Sequence, residues 1–120
     1  MGLDMYAMTT DEKLDRAVDF IPEQANEIFY WRKHPNLHGW MEKLYYEKGG
    51  SSDCFNCAPV VLTSEDLDRL EAAVKGGNLP HTTGFFFGVS EGREAEDLAF
   101  IAKAREALGE GESVFFHSWW

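Results

Sequence analysis

The segment from Pro35 to Lys48 constrains the fold of this chain more than any other. Its apolar residues recur at intervals of three and four positions, which is the pattern of a helix with one face turned towards a core. Two glycines follow directly and end the pattern. A helix of this kind depends on packing for its stability, so we expect its apolar face to cover other elements. That face consists of Leu37, Trp40, Met41, Leu44 and Tyr45.

Three other segments also predict helices. Pro22 suits a first helical position, and the acidic residues after it favour a helix that falters at Lys33, because Pro35 keeps His34 out of the helical region. The remaining two predicted helices are one that Thr63 or Ser64 caps and that closes at Gly76-Gly77, and one from Glu94 to Leu108.

Strand patterns lie between and around these helices. Runs of apolar and aromatic residues indicate strands at Leu3–Thr9, Ala58–Leu62, Phe85–Val89 and Ser113–Trp120. The order of elements predicts an α+β fold, with a small antiparallel or mixed sheet and about three helices packed mainly on one face. The chain contains no internal repeat or linker, so residues 1–120 are predicted to form a single globular domain.

The chain is acidic, but its charge is unevenly distributed. The formal net charge of −10 divides into −5 for residues 1–30, +2 for residues 31–48 and −7 for residues 49–120. An acidic surface keeps a protein solvated, meets a basic surface of a partner, or imitates the phosphate field of a nucleic acid. Direct binding to duplex DNA is not expected, because it requires clustered lysine and arginine.

The sequence also bears on the compartment. No stretch resembles a signal peptide, and none is apolar over the length of a membrane span. We therefore expect a protein of the cytoplasm with no membrane partner. In that compartment Cys54 and Cys57 are expected to be reduced thiols.

Residues 30–40, YWRKHPNLHGW, form the densest group of aromatic, basic and imidazole side chains. An indole can hold a base, a guanidinium and an ammonium can bind phosphate, and the free N–H groups of a helix that begins here can hold an anion. A glycine after two threonines permits a ligand to approach the backbone. The alternative is that Trp31 and Trp40 anchor the core and Arg32 pairs with a carboxylate. The ligand-binding candidates are Trp31, Arg32, Lys33, Asn36, His38, Thr83 and Gly84.

Two further sets of residues are candidates for catalysis or for metal binding. Cys54 as thiolate and His38 as base, oriented by Asp53 or by a carboxylate distant in sequence, would form a nucleophilic pair. The alternative is that His38 is a helix residue that hydrogen-bonds at the core edge. Zinc could be bound by two histidines and two cysteines, although reduced thiols or a redox pair are the alternatives. Those four candidate ligands are His34, His38, Cys54 and Cys57. No complete catalytic motif is present, no cofactor is predicted, and enzymatic activity stays open.

Several short motifs occur together along nearly the whole chain. They are Met1-Gly2-Leu3-Asp4-Met5-Tyr6, Tyr30-Trp31-Arg32-Lys33, Leu37-His38-Gly39-Trp40, Asp53-Cys54, Leu79-Pro80, Thr83-Gly84-Phe85-Phe86-Phe87-Gly88 and Ser118-Trp119. As a set they resemble a family of small uncharacterised bacteriophage and prophage proteins. The resemblance implies a phage or prophage origin and an accessory role in the cytosol, without a mechanism. Relatives carry a longer segment before the Tyr-Trp-Arg-Lys motif and lack a counterpart of Cys57. The positions that the resemblance selects for testing are Trp31, Arg32, His38, Cys54 and Gly84.

These observations favour an accessory protein that binds and modulates a host macromolecule, either a protein or a nucleoprotein. The competing hypothesis is a small enzyme or binding domain for a nucleotide-like or phosphorylated ligand near Trp31, Arg32 and His38. A third hypothesis is a homodimer that assembles through the aromatic C-terminal strand, where an exposed pair of Trp119 and Trp120 would be an interface hot spot.

Overall fold

The structure is a computed structural model that describes residues 3–12, 14, 16–20, 22–52, 55–80 and 93–119. Four strands and three helices are present in these ranges. In chain order they are β1 (Asp4–Thr10), β2 (Asn26–Arg32), α1 (Pro35–Glu47), β3 (Val60–Leu62), α2 (Ser64–Lys75), α3 (Glu94–Gly109) and β4 (Ser113–Trp119). The sheet is antiparallel with the order β2-β1-β4-β3, which confirms the α+β prediction.

The sheet has one core face, and the helices pack against it. Strand residues alternate between two faces, so every second residue of β1, β2 and β4 points to the same side. The ring of Trp31 on β2 lies edge-on to Phe100 of α3, with centroids 4.8 Å apart, and His38 of α1 packs on Phe116 of β4. The sheet residues on this core face are Met5, Ala7, Thr9, Phe29, Trp31, Val60, Leu62, Val114, Phe116 and Ser118.

Two helices form where local patterns predict them. In α1, Pro35 occupies the first turn, and the buried side of the helix carries Leu37, Met41 and Leu44. In α2, the Thr63 side chain accepts a hydrogen bond from the Asp66 N–H, and the Asp66 carboxylate accepts one from the Thr63 N–H. This reciprocal capping box satisfies two backbone donors that the helix itself leaves open.

The predictions at 94–108 and at the two ends of the chain are also confirmed. Helix α3 covers the predicted segment, strand β1 covers the first predicted strand, and β4 covers the last one as far as Trp119. The strand predicted over 58–62 is present as β3. The strand predicted at Phe85–Val89 lies outside the described residues.

The helix predicted from Pro22 to Lys33 is wrong, because this segment contains strand β2. Residues 23–27 favour a helix locally, but the four residues after them are β-branched or aromatic and suit a pleated strand. Pairing with β1 along six register positions decides between the two, with one irregularity between Ala7 and Met8. The consequence for function is large, because consecutive residues of this segment now face opposite sides of the sheet.

Candidate functional site

The basic and aromatic stretch at residues 30–40 does not form one site. Trp31 points into the core and is fully buried, whereas Tyr30 and Arg32 point to the opposite face of the sheet. Arg32 pairs there with Asp4, with 2.8 Å between Nη1 and Oδ1. The alternation of a strand therefore separates the indole from the guanidinium that the sequence places beside it. The structure thus has the core-anchor arrangement for Trp31 and the carboxylate pair for Arg32.

Behind Trp31 lies a buried polar network. Its centre is Asp97 in the first turn of α3, whose carboxyl oxygens lie 2.9 and 3.1 Å from His34 Nε2. The indole N–H of Trp31 donates to the same carboxyl group at 3.2 Å. His34 and Asp97 are each 1% exposed, so this network fastens β2, α1 and α3 together inside the protein. Polar groups at this depth are costly unless they are paired, and here they are paired.

A cavity of about 290 Å³ adjoins this network. Asn36 and Arg93 lie at the starts of α1 and α3 and contribute polar groups to its wall, while Leu79 and Val74 contribute apolar ones. The Arg93 guanidinium donates to the backbone oxygen of Arg32 at 2.7 Å and pairs with Glu96 at 3.4 Å. Of the predicted ligand-binding residues, Asn36 lines this cavity, whereas Lys33 is exposed with φ at 54°.

His38 lies in the core and faces away from solvent. Its Nε2 shares a hydrogen bond with Ser118 Oγ at 2.9 Å, and its ring packs on Phe55. Burial lowers the pKa of His38 to about 4, against the opposing effect of a hydrogen bond to the backbone of Phe55. The imidazole is therefore neutral at pH 7, and 1% exposure leaves it little access to a substrate. This is the hydrogen-bonded helix residue that the sequence offered as the alternative to a base.

The candidate zinc ligands are not gathered in the described part of the chain. No group of three or more histidine, cysteine, aspartate or glutamate side chains there is placed to hold a metal ion. His34 and His38 point to different partners, namely Asp97 and Ser118. Cys57 is exposed with its thiol 3.6 Å from the side-chain oxygen of Asn56. Four other candidates, Asp53, Cys54, Thr83 and Gly84, lie outside the described residues, as does Trp120.

The face of the sheet opposite the helices carries a row of rings that crosses three strands. We call this side the open face and define it by Tyr30, Tyr6, His117 and Trp119. Tyr6 on β1 is the register partner of both Tyr30 on β2 and His117 on β4. Its ring centroid lies 5.4 Å from that of Tyr30 and 5.1 Å from that of His117. Tyr30 is 42% exposed and Trp119 is 68% exposed.

Charged groups border this row. The Tyr30 hydroxyl donates to the Asp4 carboxylate at 2.5 Å, and this bond together with Arg32 lowers the pKa of Asp4. Burial, with the negative charges of Asp4 and Glu27, raises the pKa of Tyr6. Burial also lowers the pKa of His117, while Glu27 opposes that effect. The bond to Asp4 also raises the pKa of Tyr30, so both tyrosines are neutral at physiological pH. The carboxylates of Asp4 and Glu27 lie beside the row.

An apolar groove of about 250 Å³ continues the open face towards β3. The Phe115 ring lies in its wall, with the Phe20 ring edge-on to it at 5.2 Å. No local motif marks Tyr6, His117 or Asp97 as a site residue. Once β1 and β4 are recognised as strands, alternation alone places Tyr6 and His117 opposite the core, but their neighbourhood depends on the pairing of strands distant in sequence.

The C-terminal strand β4 lies between β1 and β3, so it is not an edge that a second copy can extend. Within the described residues, no helix is both long and apolar enough to cross a membrane. Comparisons with protein-family models, with curated proteins and with solved structures find no match to this chain.

Proposed function

We propose that this protein is an interaction module that binds a protein partner through the open face of its sheet. The observation that carries the proposal is the row of Tyr30, Tyr6 and His117, with Trp119 at 68% exposure beside it. None of the three described helices covers this row, because all of them pack on the other face. Tryptophan, tyrosine and arginine are the residues that most often dominate binding energy at interfaces.

The charge and the resemblance to phage proteins support the choice of partner. A net charge of −10 favours a partner with a basic surface and disfavours polyanions. An accessory protein of a phage or prophage would meet such a partner among the proteins or nucleoproteins of its host, in the cytoplasm. We therefore propose a host macromolecule as the target that this protein binds and modulates.

The test is affinity capture from a bacterial lysate with matched variants. Trp119→Ser and Tyr30→Ser remove rings from the open face, and Tyr46→Ser removes a tyrosine of equal exposure, 42%, from α1. We expect recovery of the specific partner, measured by quantitative mass spectrometry, to fall at least about tenfold for Trp119→Ser. Tyr46→Ser should recover as much as the unchanged protein. Equal recovery by all variants, with folding confirmed by circular dichroism, would contradict the proposal.

A second candidate function is the binding of a small phosphorylated or nucleotide-like ligand, favoured by the cavity of about 290 Å³ beside Asn36 and Arg93. A ligand present at 100 times its dissociation constant stabilises a fold by about 2.7 kcal/mol. Thermal unfolding with a nucleotide panel measures this, and Arg93→Gln should abolish the gain. A panel without any stabilising nucleotide would remove this candidate.

A further inference from the structure

We infer that the open face recognises a lysine or arginine side chain on the surface of the partner protein. The inference rests on the proposed function and names the chemistry of its partner. The elements of the site are the aromatic row and the carboxylate of Glu27, which the sheet places at one side of that row.

The aromatic rings of the open face favour a cation. An aromatic face attracts a cation through its quadrupole, and tryptophan and tyrosine do so more strongly than phenylalanine. Among the described strands, β2 is at the edge of the sheet, so no described strand lies on the outer side of the Tyr30 ring. Trp119 is the most exposed large aromatic side chain among the described residues. Within the same protein, Lys103 Nζ lies 5.5 Å from the centroid of Phe29, which shows the contact in another place.

The charged side chains of the open face also favour a cation. Arg32 and Asp4 pair with each other, so together they add no net charge to the open face. Glu27 is the register partner of Met8 on that face, and its charge acts on both Tyr6 and His117. Among the described residues Glu27 forms no ion pair within 4.0 Å. The face therefore carries a carboxylate that forms no ion pair with a described residue, next to rings that also favour a cation.

Single-stranded nucleic acid is the other polymer that stacks on exposed rings, but the charges disfavour it. Its binding surfaces combine stacking rings with a positively charged groove that follows the phosphates. Here Arg32, which lies beside the row, is already paired with Asp4, and the protein as a whole has a charge of −10. A phosphate backbone on this face would meet Glu27 and gain no free cation from Arg32.

The experiment is an NMR titration of the full chain with short synthetic probes. The probes are nine-residue glycine-serine peptides with a central lysine, arginine or glutamine, and a nine-nucleotide oligothymidine. We expect the lysine and arginine peptides to shift the amide resonances of Tyr6, Tyr30 and His117 and the indole resonance of Trp119. The glutamine peptide and the oligothymidine should leave them in place. Binding by the oligothymidine in preference to the cationic peptides would overturn the inference.

Two matched variants separate recognition from general attraction. Glu27→Gln and Glu65→Gln remove the same charge, but Glu65 is exposed on the first turn of α2, a helix that packs on the other face of the sheet. Glu27→Gln should lower the affinity for the lysine peptide about threefold, and Glu65→Gln should leave that affinity unchanged. Tyr30→Leu should lower the affinity for the lysine peptide about two- to fivefold. Equal effects of the two glutamate variants would mean that only the overall charge attracts the peptide.

The outcomes also distinguish this inference from the proposed function. If Trp119→Ser loses the captured partner but the cationic peptides do not contact the open face, the interaction module stands and the recognition of a cation is wrong. If capture does not depend on the open face at all, both proposals fail.

Discussion

Asp97 should be among the residues whose replacement destabilises this fold most, although it is an acidic residue in the first turn of a helix. Its carboxyl group accepts hydrogen bonds from His34 and from the indole of Trp31, and all three side chains are buried. In Asp97→Ala both donors lose this acceptor in the interior. Each buried donor left unsatisfied costs about 1–3 kcal/mol, and breaking a buried pair costs about 3–5 kcal/mol in total. We therefore expect Asp97→Ala to lower the free energy of unfolding by about 3–5 kcal/mol.

Urea unfolding followed by far-ultraviolet circular dichroism measures this loss. The matched control is Glu96→Ala, one residue earlier in the same turn, where the carboxylate is exposed and pairs with Arg93 at 3.4 Å. An exposed pair of this kind contributes less than about 1 kcal/mol. A double-mutant cycle with Trp31→Phe then isolates the bond to the indole, for which we expect a coupling energy of about 0.5–3 kcal/mol. If Asp97→Ala lowers the free energy of unfolding no more than Glu96→Ala does, the buried network does not stabilise the fold as we expect.

Three further predictions concern the same fold. The pKa of His38 is about 4 in the folded protein, below the ordinary value of 6.5, so the unfolded chain binds the extra proton and stability falls as the pH drops from about 6.5 to 4. His38→Gln should lack this loss of stability, which amounts to up to about 3 kcal/mol of unfolding free energy between these pH values. Urea titrations at several pH values measure it. Thr63→Ala removes the capping box of α2 and should cost about 1 kcal/mol by thermal unfolding, whereas Thr63→Ser should cost much less. A methyl group at Gly50 would overlap the Tyr45 ring, so Gly50→Ala should destabilise the fold by about 1–3 kcal/mol and weaken the bond between Tyr45 and Asp19; an unchanged melting temperature would contradict this.

Local signals were enough for the elements that local physics decides. The stripe of apolar residues after Pro35 and the cap at Thr63 each act within a few residues, and the structure confirms both helices. The segment at 26–32 was different, because its first residues favour a helix and its last ones a strand. Only pairing with β1 decided between them, and pairing is a property of the folded sheet.

The candidate site depended even more on distant contacts. His34 and Asp97 are 63 residues apart in sequence, and no local pattern predicts that they are in contact. Tyr6 and His117 are further apart still and meet only because β1 and β4 are neighbours. The sequence did indicate that the region around Trp31 and Arg32 is unusual. Their adjacency in sequence suggested one ligand site, but a strand turns the two side chains to opposite sides of the sheet.

The position of β4 between β1 and β3 has a consequence for how this chain folds. The central pair of the sheet joins residues 4–10 to residues 113–119, so it closes a loop that contains every other described element. Closing a loop of roughly 100 residues costs about 4 kcal/mol of chain entropy before the pairing returns any energy. Helices α1 and α2 can form early from local contacts, but the surface that they cover is complete only when the last strand arrives. We expect slow folding for a domain of this size, with a rate set by the entry of β4.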